Sequence, residues 1–200
     1  MHVCSKSVER EKTKVERQKT VAVGYSKQYK NSIVKRINNP WTVLPEYNCY
    51  GCCPTNPIGT QMRFFEDGDD IVSFWRPTQN HQSWINTLHG GIQAVLLDEV
   101  CGWVVFHKLQ TAGVTAKMEM RYHKPVSTLQ SYIRLRAYLK EMRRNIAIVQ
   151  GEIYSSEGEL LCECVCTYFT FPQDKAKAEM GYLPSTTDEH DYTWEEAVNM

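Results

Sequence analysis

Residues 88–103, "LHGGIQAVLLDEVCGW", place two groups able to act on a carbonyl compound in one apolar run. His89-Gly90-Gly91 opens the run, and Asp98-Glu99 interrupts it. A helix starting at Gly90 leaves its first N–H groups without intrahelical acceptors, and glycine lets a substrate oxygen come close. Those donors, with the helix dipole, make an oxyanion site. Ile92–Phe106 is apolar on all sides of a helix, the pattern of a buried one. A carboxylate there is costly to desolvate unless it has partners or a task, so Asp98 is the candidate general base or nucleophile. Each feature also has a plainer reading: Gly90-Gly91 as a tight turn, His89 as a cap, Asp98 as a satisfied buried acid. Glu99, one position round the helix, points elsewhere.

Spacing makes the combination more informative than its parts. Gly90 and Asp98 are eight residues apart, roughly 12 Å along a helix at ~1.5 Å per residue. An oxyanion donor and a nucleophile must both reach one reacting group. One chain cannot bring its own Gly90 and Asp98 to the same carbonyl, whereas two chains about a twofold axis can. A site using both residues is therefore shared between subunits.

The elements that must position this helix are strands. "QMRFFEDGDDIVSFW" reads as a hairpin turning at Glu66-Asp67-Gly68-Asp69. After the helix, "GVTAKMEMRYHKPV" alternates until Pro125, and "QSYIRLRAYLKE" alternates next, with Ile133, Leu135 and Tyr138 or their neighbours facing a core. "NIAIVQGEIYSSEGELLCECVCTYFTF" is a long hairpin turning at Ser155-Ser156-Glu157-Gly158, with Cys162, Cys164 and Cys166 on one face. Four consecutive strands without intervening helices predict an antiparallel sheet and an α+β fold, the sheet curving around one long central helix. Trp84, Trp103 and Phe106 either line a pocket or belong to the core.

Charge and cysteine usage bound the class. Residues 1–40 hold ten Lys/Arg against three Asp/Glu, and residues 173–200 hold two against seven. The expectation is a basic, flexible extension over residues 1–38, one domain over 39–172 and an acidic tail over 173–200. The body between is nearly neutral, which argues against a nucleic-acid binder. No run of signal-peptide or membrane-spanning length occurs, so a cytoplasmic protein without a membrane partner is expected. Cys49-x-x-Cys52-Cys53 has the spacing of half a zinc site, but no second pair follows at short spacing. Reduced thiols, and neither metal nor cofactor, are the expectation. The sequence has no G-x-S-x-G, Walker A, G-x-G-x-x-G or H-E-x-x-H motif.

The HGG–apolar helix–Asp arrangement, with "LLDE" in the helix and "GVTAKMEMRYHKPV" at the next strand, resembles the hotdog-fold acyl-CoA thioesterases of the PaaI-like type. "NCYGCCPTNPIGTQMRFF" resembles a subgroup that begins with a Cys-containing Asn-Pro-x-Gly turn. The similarity runs from about Trp41 to Pro172. It implies a homodimer at least, or a dimer of dimers, acting on an acyl-CoA substrate. It implies that the Gly90 N–H polarises the thioester carbonyl, with His89 setting the turn and Gly91 and Asn86 beside the substrate. Asp98 acts as base or nucleophile, and Thr115 assists the attacking group. The position that often carries an amide six residues before the histidine is Ser83, a departure from the pattern. The coenzyme A nucleotide would meet Lys117, His123, Lys124, Arg143, Arg144 and Asn145. Two alternatives stand beside hydrolysis: an acyl-CoA-binding protein without catalysis, and a dehydratase of hydroxyacyl thioesters.

Overall fold

The structure, a computed structural model, describes residues 33–200. The strands are β1 (Ile33–Asn38), β2 (Phe65–Asp67), β3 (Asp70–Trp75), β4 (Gly113–Tyr122), β5 (Ile133–Arg143), β6 (Ile146–Ser155), β7 (Leu160–Thr170) and β8 (Thr186–Thr193). The helices are α1 (Gly90–Trp103), α2 (Gln173–Glu179) and α3 (Trp194–Asn199). Among the described residues, eight strands form one sheet in the order β4-β7-β6-β5-β3-β2-β1-β8, every neighbouring pair antiparallel.

The expected hairpins form where their turn residues are. Asp67 pairs with Asp70 across a tight turn that contains Gly68, whose φ of 58° suits a residue without a Cβ. β6 and β7 join at 156–159, and the β5–β6 turn is Arg144-Asn145, with Arg143 opposite Ile146. Helix α1 packs on β3, β4, β5, β6 and β7. Leu96, Leu97, Val100, Cys101 and Trp103 are fully buried there, facing Ile133, Leu135, Ala137, Val149, Ile153, Cys162 and Cys166. Ala137, not Tyr138, completes the inward face of β5. Past Trp103 the helix loosens into a π turn, Val104–Lys108. His107 anchors that turn, with Nε2 2.6 Å from Glu66 and Nδ1 2.8 Å from Ser185 Oγ.

Two strands lie outside the expected domain limits. Residues 33–38, assigned above to the basic extension, form β1, and 186–193, assigned to the acidic tail, form the edge strand β8. In β1 only Val34 and Ile37 are buried, and Ile37 follows Val34 by three residues, so the run shows no clean alternation. A bulge between Lys35 and Ile37 resolves that mismatch. The TTDEHDYT of β8 has a single large apolar residue. It is held by strand pairing and by a small outer-face cluster in which Tyr192, Trp194 and Ala197 pack with Val34, Phe65, Val72 and Phe74. Residues 1–32, which carry most of the expected basic extension, lie outside the described residues. No helix among the described residues is long and apolar enough to cross a membrane.

Candidate active site

His89 is the N-cap of α1, its Nδ1 accepting the Gly91 N–H at 2.9 Å. The capping reading and the turn-setting role coincide in this one bond. The Gly90 N–H donates no hydrogen bond among the described residues, so it is an available donor at this helix start. Gly90 also faces β4: Tyr122 Oη donates to the Gly90 carbonyl at 3.1 Å. A Cβ at Gly90 would stand 3.5 Å from that hydroxyl. Gly91 is exposed and already serves the cap.

Two turns along, Asp98 is half-buried and points to the β4–β7 pair. Thr115 Oγ1 donates to Asp98 Oδ1 at 2.9 Å, and Tyr168 Oη donates to the same oxygen at 3.1 Å. Tyr168 Oη also lies 2.9 Å from the Asp98 carbonyl. Thr115 and Tyr168 are cross-strand partners, placed beside each other by the register of β4 and β7. Both described donors fall on Oδ1, and Oδ2 accepts no hydrogen bond among the described residues.

Tyr168 is a residue that the sequence reading did not single out. Its signal is the alternation of Cys162, Cys164 and Cys166, which continues by two more residues onto Tyr168. Burial, with the Cys101 and Asp98 charges behind it, pushes the Tyr168 hydroxyl up, so it remains a donor.

The adjacent carboxylate lies in a different setting. Glu99 accepts from Trp103 Nε1 at 3.3 Å and has the Cys49 thiol at 3.8 and 3.9 Å. Burial, reinforced by the charge of Cys49, raises its carboxyl to about 7. Cys49 is lowered to about 5, chiefly by its bond from the Cys52 thiol.

The remaining expected residues divide into groups that one chain does not bring together. Ser83 is exposed, its Oγ reaching the Thr87 carbonyl at 3.4 Å. Asn86 is exposed with a φ of 59°, and its carbonyl accepts the Thr128 N–H. Both belong to the 82–88 turn leading into α1. His123 and Lys124 follow β4 at its Tyr122 end, beside Gly90, and pair with Glu163 and Glu159. Arg143, Arg144 and Asn145 occupy the β5–β6 turn at the other end of the sheet, where the Asn145 carbonyl accepts the Thr170 N–H. Arg143 pairs with Glu141, and Lys117 pairs with Glu119. The single cation group expected from the sequence is therefore two groups. One accompanies Gly90 and the other lies toward Asp98, since Ala147 beside that turn pairs with Tyr168. Trp103 is core, Phe106 is partly buried, and Trp84 is exposed.

Residues 85–162 match the family model of the thioesterase superfamily. That segment, 78 of the 200 residues, is similar to the superfamily, and the described residues have the hotdog fold. Solved structures share this fold. A thioesterase superfamily protein is 20% identical, with a TM-score of 0.57, covering 78% of this chain and 77% of its own. A hypothetical thioesterase from Streptococcus pneumoniae, crystallised with coenzyme A, is 22% identical with a TM-score of 0.50, covering 53% and 84%. A Streptococcus mutans protein bound to acetyl-CoA is 13% identical with a TM-score of 0.53, covering 64% and 95%. No curated protein matches the chain. In this hotdog domain the matched segment contains both Gly90 and Asp98, but ends before Tyr168.

Proposed function

We propose that the protein is an acyl-CoA thioesterase, hydrolysing its substrate to a free acid and coenzyme A at a site shared by two subunits. The observation that carries this reading is the state of Asp98: Oδ1 is fixed by two hydroxyl donors while Oδ2 has no described partner. A carboxylate fastened at one oxygen is oriented to use the other. Asp98 Oδ2 takes a proton from water as that water attacks the thioester carbonyl carbon, and the Gly90 N–H of the other subunit receives the developing oxyanion. Collapse expels the coenzyme A thiolate, which takes the proton from Asp98. Direct attack by Asp98, giving a mixed anhydride that water then cleaves, uses the same groups.

Two features support a shared site. Gly90 and Asp98 stand about 12 Å apart along one helix. β4 is an edge strand, with Val114 and Tyr122 exposed. A second copy pairing antiparallel along β4 covers that edge and brings unlike ends together, Gly90 of one chain to Asp98 of the other. The same operation brings the His123–Lys124 group of one chain to the Arg143–Asn145 group of the other. Together they give cations for the coenzyme A phosphates. This reading takes the sheet as curved about α1, which five strands meeting one helix supports.

A second reading, an acyl-CoA-binding protein without catalysis, is favoured by Ser83, whose hydroxyl is engaged by Thr87 where an amide would position water. A dehydratase has less support. His89 Nδ1 is occupied as a helix cap, and no carboxylate pairs with His89 among the described residues. The test is thiol release from a panel of short, medium and aryl acyl-CoAs, with wild type and Asp98→Asn side by side. Hydrolysis that disappears in a folded, dimeric variant supports the thioesterase. Silence across the panel moves the weight to the binding protein, and enoyl absorbance would reveal dehydration.

A further inference from the structure

We propose that Cys49, Cys52 and Glu99 form a binding site for a zinc-class divalent cation, on the side of α1 turned away from Asp98. Sequence spacing alone pointed the other way, because Cys49-x-x-Cys52 has no second pair nearby. The fold supplies the missing donor from the helix. The two sulfurs and a Glu99 oxygen all lie within 4.8 Å of one another, with Cys52 buried and the other two partly buried.

Three further observations favour a ligand over a chance cluster. The Cys49–Cys53 segment closes as a turn, with the Cys53 N–H on the Cys49 carbonyl at 3.2 Å. Gly51 lets the carboxylate lie directly on this turn, since a Cβ there would meet Glu99 Oε2 at 2.2 Å. Finally, no Lys, Arg or His pairs with Glu99 among the described residues; its contacts are an indole N–H and thiols. A carboxylate withdrawn from water beside two thiols lacks a positive partner, and a divalent cation supplies it.

The donor set selects the cation. Two sulfurs and one carboxylate oxygen suit zinc, whereas calcium and magnesium require oxygen cages. The Tyr47 hydroxyl, 2.8 Å from Cys52 Sγ, is at hand as a fourth donor or to hold a water. Asn39 Nδ2 fixes that hydroxyl at 3.0 Å and also reaches the Cys52 carbonyl, the outer support a metal site requires. Cys101, Cys164 and Cys166 also lie close together, but all three are buried in the apolar core, Cys101 and Cys164 against Gly151, and bring sulfur alone. They serve as the internal control. The cation ties the Cys49–Cys53 turn to the helix that carries Asp98, and this proposal does not depend on thioester hydrolysis.

The full-length protein, expressed with added zinc and purified under reductant, is assayed by elemental analysis and by cobalt(II) replacement. One zinc per chain is expected, with thiolate-to-cobalt charge-transfer bands and the visible bands of a tetrahedral ion. Cys49→Ser, Cys52→Ser and Glu99→Gln should each weaken binding by about tenfold or more, and Cys164→Ala should not. Glu99→Gln keeps the side-chain volume, so it reports on the ligand set if a cysteine variant misfolds. A natively folded protein that binds neither zinc nor cobalt overturns the proposal. So does binding undiminished in Cys49→Ser and Glu99→Gln, or binding that follows Cys164. A Cys49–Cys52 disulfide found by mass spectrometry in place of metal binding overturns it in favour of a redox pair.

Discussion

Asp98 and Glu99 are neighbours in sequence and lie on two different sides of one helix. Asp98 is partly open and held by the hydroxyls of Thr115 and Tyr168 from the sheet. Glu99 is held by an indole and thiols from the Cys49–Cys53 turn, in a setting that pushes its carboxyl up to about 7. About one hundred degrees of helix rotation thus separates a carboxylate held by two hydroxyls from a carboxylate that lacks a positive partner. The difference teaches that composition identifies acids, while the facing elements decide their chemistry. The variants below probe that contrast.

The sharpest break comes from Asp98→Asn. Removal of a general base costs roughly 10²–10⁴-fold, so kcat should fall by about 10³-fold, with circular dichroism and oligomer size unchanged. A variant that keeps substantial turnover while folded would remove Asp98 from the chemistry and leave the two sides of α1 equivalent. Tyr168→Phe comes next. It deletes a hydrogen bond to a carboxylate, of about 1.5–3 kcal/mol, and kcat should fall roughly 10–100-fold while KM moves little. A merely structural tyrosine would lower the melting temperature and leave kcat per folded molecule intact. Thr115→Val should cost about tenfold, because Tyr168 still holds Oδ1. The double variant should be more damaging than the product of the singles, since each hydroxyl covers for the loss of the other at their shared acceptor.

The contrast was only half legible in the sequence. His89-Gly90-Gly91, the apolar run and Asp98 are contiguous, so a periodicity argument reaches them, and their eight-residue spacing is what led to the expectation of a two-chain site. The four strands after the helix carry strong alternation and were readable. β1 was not, because its bulge breaks the period, and β8 was not, because its residues are almost all polar. Thr115 came from family resemblance alone. Its pairing with Tyr168 depends on register, and a bulge between Thr115 and Lys117 shifts that register next door. The separation of His123–Lys124 from Arg143–Asn145 required the strand order. Glu99 and Cys49 are brought together only by tertiary structure, so no local spacing rule connects them.

Gly51→Ala tests the other side of the helix through packing. Its Cβ would occupy the place of the Glu99 carboxylate, so the side chain must swing away from the turn. The expected cost is about 1–3 kcal/mol of stability, read by urea denaturation, with a smaller loss of kcat than in Tyr168→Phe. If stability holds and kcat collapses instead, the Glu99 side is coupled to the chemistry as closely as the Asp98 side.

The smallest effect is a slope in pH. In chelator-treated protein the folded state holds the Glu99 carboxyl at about 7, against an ordinary 4.5. A raised value means that folding favours the protonated form. The stability that Glu99 contributes is therefore complete below 4.5 and is lost as pH rises through about 7. Glutamine cannot ionise, so Glu99→Gln should flatten this part of the stability curve, its difference from wild type drifting in the variant's favour as pH climbs. Denaturant midpoints at a series of pH values across that window measure the drift. A constant difference would mean that Glu99 titrates like an ordinary surface acid. The two carboxylates would then differ in their neighbours without differing in the work those neighbours do on them.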